Sequence, residues 1–340
     1  MKIAFFELEN WETTHIKEKF QGHELLFFDK PLSQDNVGLV KDVDAIAVFI
    51  YSQVSRAIMM QMPNLKLVTT MSTGFDHIDI AYCKEKNIIA CYVPTYGENT
   101  VAEHTFALIL AVSRKIFPSI ERTHHEHVFE TDISLRGFDL RGRTLGIIGC
   151  GNIGKHVARI GVGFEMNVVV FDMFPDYELA LKVGYKYVDM DTLLRLSDII
   201  TLHMPSLPST THMINEETIN KMKSGVYIIN TARGPLIDTN ALIVALDNGK
   251  VAGAALDVIE EEKEIKDEKE LLKKELKDVS GSRLLLEDHL LMKMNNVLIT
   301  PHNAFNSQEA LERILNTTIF NLVGFVENKP VNIVKESVSN

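Results

Sequence analysis

Three groups of residues in this 340-residue chain have the types and spacing to do chemistry. The first is Gly149-Cys-Gly151-Asn-Ile-Gly154, a G-x-G-x-x-G run. Between a strand and a helix, its first glycine permits a tight turn. Its second lets the backbone approach a pyrophosphate, and its third lets helix and strand pack closely. Phosphates then rest on the free N–H groups at the positive end of the helix. The second group is Asp172, 21 residues beyond Gly151 and at the end of the next strand. A carboxylate there accepts hydrogen bonds from a ribose 2′-hydroxyl and repels a 2′-phosphate. Met173-Phe174-Pro175 supplies no Arg or Lys to reverse that choice, so the pattern predicts NAD rather than NADP.

The third group lies at the carboxyl ends of later strands, where open α/β sheets bind ligands. It comprises His203-Met204-Pro205, Asn230-Thr231-Ala232-Arg233-Gly234, Asp257 and Thr300-Pro301-His302. Arg233 carries a forked guanidinium, suited to a two-point grip on a carboxylate and to polarising a carbonyl beside it. His302 can give or take a proton near neutral pH. A nearby carboxylate would orient the imidazole and favour its protonated form. Glu260, Glu261 and Glu262 all follow Asp257, and spacing alone does not choose among them. His124-His-Glu-His127 places two histidines at i, i+3, but no matching Cys or carboxylate spacing follows; it reads as a solvated connector, and no metal site is expected.

These residues need a scaffold of alternating strands and helices, the signature of a doubly wound parallel sheet. Strands are expected at 3–6, 25–28, 45–50, 65–69 and 88–92. A second series falls at 145–148, 168–171, 199–202, 226–229, 253–256 and 297–299, with a weak extra one at 185–188. Thr100-Val-Ala-Glu103 has the form of a capping box opening a helix to about Arg114. A last amphipathic helix is expected from about Ser307 to Val326. Because it follows the second series, it is expected to return to the first lobe. The segment from Glu260 to Lys293 breaks the rhythm; its dense charge reads as a solvated insertion.

The length suits two domains. With 46% hydrophobic and 24% charged residues the chain has a globular balance, not that of a disordered or fibrous protein. A net charge of -11 argues against a nucleic-acid partner. No apolar run is long enough to span a bilayer, so no membrane association is expected. The start, Met-Lys-Ile-Ala-Phe-Phe, turns acidic at once and does not read as a signal peptide. Cys83, Cys91 and Cys150 show no paired spacing, which suits reduced thiols in the cytoplasm.

Read together, the motifs resemble the D-isomer-specific 2-hydroxyacid dehydrogenase family. The stretches that carry the resemblance are Ser-Thr-Gly-Phe-Asp-His-Ile-Asp at 72–79, Val-Ala-Glu-His at 101–104, Leu-Gly-Ile-Ile-Gly-Cys-Gly-Asn-Ile-Gly at 145–154, Asn-Thr-Ala-Arg-Gly at 230–234, Ala-Leu-Asp-Val at 255–258 and Thr-Pro-His at 300–302. Thr-Pro-His-Asn-Ala-Phe at 300–305 and Val-Pro-Thr-Tyr at 93–96 are most similar to its D-lactate dehydrogenase branch. The resemblance implies a Rossmann NAD domain over 101–299 and a flavodoxin-like substrate lobe from 1–100 and 300–340, with the active site in the cleft between them. It implies a catalytic trio of Arg233, His302 and Glu262, the last placed five residues after Asp257. It assigns Gly149, Gly151, Asn152, Ile153 and Gly154 to the pyrophosphate, and Asp172 to the ribose. Met204, Pro205 and Thr210 fall on the adenosine and phosphate side. Thr231, Ala232 and Asp257 fall on the nicotinamide side. Gly74 and Phe75 would offer amides to the substrate carboxylate, and Tyr96 and Phe305 would enclose a small side chain. A homodimer formed through the cofactor domain is implied as well. Thr73 stands where related sequences often carry Val, and the charged stretch before His302 departs from the family in composition. The implied reaction is reversible reduction of a small 2-keto acid, most simply pyruvate. The alternatives are a bulkier acid of the 2-hydroxyisocaproate type, or a dinucleotide-sensing interaction protein that needs the cradle but no acid/base pair.

Overall fold

The structure, a computed structural model, describes residues 1–260 and 287–335. The chain forms two compact units: Met1–Tyr96 joined by the chain from Ser307 onward, and Gly97–Asn306.

The first unit is built on strands β1 (Lys2–Phe5), β2 (Glu24–Phe27), β3 (Ala45–Val48), β4 (Leu67–Thr70) and β5 (Ile89–Cys91). They pair in parallel in the order β2-β1-β3-β4-β5, the flavodoxin-like order. β3 and β4 bury every side chain, as parallel strands covered on both faces must. The helix Gln308–Val326 packs on β4, and Ser307 caps it by accepting from the Ala310 N–H. Its Asn321 is fully buried. Asn321 Nδ2 donates to Thr69 Oγ1 (3.2 Å) and to the Tyr92 carbonyl (3.0 Å), and its Oδ1 accepts from Asn332 (2.8 Å). A buried amide costs stability unless satisfied, and here three bonds tie the chain's end into the unit.

The second unit carries β6 (Thr144–Ile148), β7 (Asn167–Phe171), β8 (Lys186–Tyr187), β9 (Ile199–Leu202), β10 (Val226–Asn230), β11 (Val251–Leu256) and β12 (Val297–Ile299). All pair in parallel, in the order β12-β11-β10-β9-β6-β7-β8. The strand order reverses between β6 and β9, which opens a crevice at their carboxyl ends. Alternate residues feed two apolar clusters. Ile148, Ile200, Leu202 and Ile228 face one side; Leu145, Ile147, Ile199 and Ile229 face the other. Each such side chain contributes about 1.5–3 kcal/mol by leaving water.

Three expectations are corrected. The capping box at Thr100 does not form; the helix runs Glu98–Ser113 from Gly97. Glu103 instead accepts from the Asn99 side chain on the surface (3.2 Å), and Thr100 is buried in the first turn. The polar connector contains a helix, Ile116–His124, that buries none of its residues. Its apolar residues Ile116, Phe117 and Ile120 recur at helical spacing but stay exposed. Of the charged insertion, residues 261–286 lie outside the described residues. Residues 287–293 are helical, and Glu287, Asp288 and Leu291 are buried, because Leu291 joins the core and draws its neighbours beneath the surface.

Candidate active site

The glycine turn joins β6 to the helix Asn152–Gly163. Gly149 adopts φ 93°, a left-handed conformation, and a Cβ there would lie 2.6 Å from the His203 carbonyl oxygen. A Cβ on Gly154 would lie 2.1 Å from the Gly149 carbonyl oxygen, so this residue sets how closely helix and turn approach. Around Gly151 the situation is opposite: a Cβ would meet nothing within 4 Å. Gly151 is the N-cap, and no side chain caps the helix. The cradle is therefore open at the one position where a bound phosphate needs room, in front of a bare helix N-terminus. Ile153 packs against the core below the turn, and Asn152 Oδ1 accepts from Lys155 Nζ (2.9 Å). Asp172, at the end of β7, accepts from the Cys150 N–H in the glycine turn and from the Phe174 N–H (2.8 Å). These bonds hold its carboxylate beside the cradle. The donor set and the open cradle fit a dinucleotide with an unphosphorylated ribose.

After β9 the chain passes Met204 and Pro205 to Thr210. Met204 Cβ lies near Gly149, 3.2 Å from where a Cβ on that glycine would sit. Thr210 Oγ1 accepts from the Leu207 N–H and donates to the Pro205 carbonyl, both at 2.8 Å. Its hydroxyl thus shapes this loop. His203 Nε2 contacts Thr201 Oγ1 (2.9 Å), and burial pushes the ring down to about 3, keeping it neutral.

The turns after β10 and β12 are cross-tied through the end of β11. Asn230 is buried; its side chain donates to the Arg233 carbonyl (2.8 Å) and accepts from the Ala232 N–H (3.0 Å). Its own carbonyl accepts from the Asp257 N–H (2.8 Å). Thr231 Oγ1 meets Thr105 Oγ1 (2.9 Å), which anchors the same turn to the helix Glu98–Ser113. Arg233 Nη1 donates back to the Ala232 carbonyl (2.7 Å). Gly234 packs so tightly that a Cβ would lie 2.0 Å from the Ile259 carbonyl oxygen. Only glycine lets the Arg233 turn lie against the chain leaving Asp257.

Asp257 is 1% exposed. Three successive amides turn toward it: His302 N–H to its backbone carbonyl, Asn303 N–H to Oδ1 and Ala304 N–H to Oδ2, each at 2.8 Å. Thr300 Oγ1 also donates to Oδ1, and His104 Nε2 lies 3.4 Å from it. Burial alone would raise the Asp257 pKa. The hydrogen bonds from His104, Thr300, Asn303 and Ala304 outweigh burial and hold the carboxyl below the usual range. His302 itself sits at φ 50°, a left-handed conformation that a side chain tolerates only when its surroundings impose it. The ring of Phe305 stands edge-on to its imidazole, with centroids 6.4 Å apart.

Of the three glutamates that follow Asp257, Glu260 is committed elsewhere. Oε1 meets His212 Nε2 at 2.6 Å, and Oε2 accepts from Thr239 Oγ1 (2.6 Å) and the Thr239 N–H (3.2 Å). It fastens the chain after Asp257 to the start of the helix Thr239–Asp247. Glu261 and Glu262 lie outside the described residues.

In the first unit, Gly74 and Phe75 follow β4. Ser72 Oγ donates to the Gly74 carbonyl (2.6 Å), and Thr73 Oγ1 donates to the Val93 carbonyl (2.8 Å). Phe75 stands edge-on to Tyr92 at 5.8 Å between centroids. The Tyr96 carbonyl accepts from Arg313 Nε. Sequence reasoning missed Glu7, at φ 61° just beyond β1. It accepts from the N–H groups of Phe49 (3.0 Å), Tyr51 (2.9 Å) and Ser52 (3.1 Å), and so shapes the loop after β3 at the same sheet edge. Asn230, Thr300 and His104 fall within the stretches named from the sequence, but their partners, far away in sequence, could not be read from it.

The chain matches the model for the D-isomer specific 2-hydroxyacid dehydrogenase NAD-binding domain over residues 106–304. It is 33% identical to the D-lactate dehydrogenase of Escherichia coli over 329 residues, covering 95% of this chain and 96% of that one. It is 34% identical to a 2-hydroxyacid dehydrogenase homolog of Zymomonas mobilis, covering 94% and 95%. The crystal structure of D-lactate dehydrogenase from Aquifex aeolicus complexed with NAD and lactic acid superposes with a TM-score of 0.86 at 37% identity, covering 96% of each chain. With an open phosphate cradle and an acidic residue beside it at the end of the next strand, this chain belongs to the D-isomer-specific 2-hydroxyacid dehydrogenases, a family of NAD-dependent oxidoreductases.

Proposed function

We propose that this protein is a D-lactate dehydrogenase that reduces pyruvate to D-lactate with NADH. The observation that carries the reading is the cross-tie at Asn230 and Asp257, which links the Arg233 turn after β10 and the His302 turn after β12 through the end of β11, the strand between them. A guanidinium and an imidazole held on one rigid edge are what a 2-keto acid requires. Relatives named D-lactate dehydrogenase in Escherichia coli and Aquifex aeolicus support pyruvate as the substrate.

In this reading Arg233 grips the keto-acid carboxylate at two points and stabilises charge growing on the carbonyl oxygen. His302 donates its imidazole proton to that oxygen during reduction and takes it back in the reverse direction. Glu262 pairs with His302 and favours the protonated ring. When bound, NADH supplies the hydride to the carbonyl carbon. The amides from Gly151 to Gly154, with the Gly149 turn, hold the pyrophosphate. Asp172 holds the ribose, Met204, Pro205 and Thr210 line the adenosine side, and Thr231, Ala232 and Asp257 line the nicotinamide side. In this reading the cofactor domain is 101–299, within the unit Gly97–Asn306; the amides of Gly74 and Phe75 are the candidates for the substrate carboxylate, and Tyr96 and Phe305 for its methyl group.

A homodimer through the cofactor domain is supported by the helix Ile116–His124, which exposes Ile116, Phe117 and Ile120, with Phe129 and Ile133 beyond it. Sedimentation of the full chain tests this: a dimer that dissociates on Phe117→Glu supports it, and a monomeric wild type opposes it. Three free thiols, Cys83, Cys91 and Cys150, suit a reducing cytoplasm.

Steady-state kinetics with 2-keto acids of increasing size, each with NADH and NADPH, test the substrate. The expected result is highest kcat/KM for pyruvate with NADH. A preference for a branched or aromatic keto acid would replace pyruvate with a bulkier substrate, and no turnover with any of them would favour a dinucleotide sensor.

A further inference from the structure

We propose that His104 is a positioning residue for catalysis: through Thr300 and the Asp257 carboxylate it holds the turn that presents His302. This inference rests on the reading of His302 as acid/base. His104 lies on the helix Glu98–Ser113, remote in sequence from β12. Its Nε2 lies 3.2 Å from Thr300 Oγ1 and 3.4 Å from Asp257 Oδ1. Thr300 has a single hydroxyl proton, and it points to the Asp257 carboxylate, which can only accept. The short contact between His104 and Thr300 therefore takes its proton from the imidazole, which fixes His104 as an Nε2–H donor. The chain of donation runs from His104 to Thr300 to Asp257.

That chain ends on the residue that organises the catalytic turn. The N–H groups of residues 302, 303 and 304 all close on Asp257, and they force His302 into its left-handed φ of 50°. The amides of Asn303 and Ala304 close on the carboxylate and that of His302 on the backbone carbonyl, so the path of the turn depends on where Asp257 sits. The Asp257 carboxylate has little freedom except along the direction from which Thr300 and His104 hold it. Loss of His104 lets it swing toward the amides and shifts the imidazole of His302. Displacements of about 1 Å at a reacting group cost up to about 100-fold in rate. The cofactor cradle at Gly149–Gly154 has no part in this chain.

His104→Leu and His104→Gln separate positioning from bulk folding, because Gln retains an N–H donor near the lost Nε2. The expected result for His104→Leu is a kcat with pyruvate and NADH lowered about 10- to 100-fold, with the melting temperature close to wild type. Gln should recover most of that loss. Thr300→Val should lower kcat similarly, and adding His104→Leu to it should do little more, since both cut one chain. Wild-type kcat in His104→Leu, or a loss that Gln does not rescue, would overturn the proposal. Should the Leu variant not fold, the Gln and Thr300→Val variants carry the test, and wild-type kcat in Thr300→Val overturns it. His302→Asn, assayed in parallel, keeps the two readings apart. An active His302→Asn enzyme removes the acid/base assignment, whereas an inactive one beside a fully active His104→Leu removes only the positioning role.

Discussion

Replacing Gly151 by Ala should abolish tight NADH binding without unfolding the protein. A Cβ at this position meets no atom within 4 Å, and its φ of -70° is ordinary for any residue. Alanine is a poorer N-cap than glycine, which costs roughly 0.5–1 kcal/mol. The reduced freedom of the unfolded chain returns about 0.4–1 kcal/mol. The stability change should therefore be less than about 1 kcal/mol. The methyl group would instead stand where the phosphates approach the helix N-terminus. Losing one charge-assisted hydrogen bond costs about 1.5–3 kcal/mol, which is about a 10- to 150-fold weaker Kd. Gly154→Ala provides the contrast. Its Cβ would lie 2.1 Å from the Gly149 carbonyl, so the helix or the turn must move, at a cost of about 1–3 kcal/mol. NADH fluorescence titration and thermal melts read both variants. A Gly151→Ala protein that binds NADH within about threefold of wild type, or that melts as early as Gly154→Ala, would refute the reasoning.

Other outcomes follow from the same geometry. His302→Ala should lower kcat on the order of 10²–10⁴-fold while NADH affinity, read by fluorescence, stays near wild type. Arg233→Lys keeps the charge but loses the planar fork; kcat/KM for pyruvate should fall about 10- to 150-fold, a cost of about 1.5–3 kcal/mol, with NADH KM little changed. Glu12, in the helix Asn10–Lys19, has its pKa pushed by burial from 4.5 up to about 7. The folded state then binds this proton more tightly than the unfolded state, so its contribution to stability declines as pH rises from about 4.5 through about 7. Glu12→Gln removes that ionisation, and its melting temperature should fall less between about pH 5 and about pH 8 than that of wild type.

The glycine turn was legible because its logic is local: three glycines, one strand and one helix, with Asp172 at the end of the next strand. The strand positions were legible for a similar reason, since parallel strands buried on both faces read as short Val, Ile and Leu runs such as Val168–Phe171. Arg233 and His302 could be selected from strand ends alone. What holds them could not. The Asn230–Asp257 tie and the His104–Thr300 contact join residues up to 196 positions apart, and spacing carries no record of such pairs. Glu260 looked as eligible as its neighbours until its contacts with His212 and Thr239 took it out of contention. The Thr100 box misled for the opposite reason: a correct local pattern lost to a helix that starts at Glu98, where Asn99 engages Glu103. The helix Ile116–His124 does carry an apolar pattern at Ile116, Phe117 and Ile120, but the dense His and Arg around it reads as a connector.

Chirality of the product tests the central claim most directly. Purified protein, pyruvate and NADH, followed by chiral chromatography of the lactate formed, should yield the D enantiomer alone, one molecule for each NADH oxidised. L-lactate, a racemate, or no NADH oxidation with pyruvate would contradict the account.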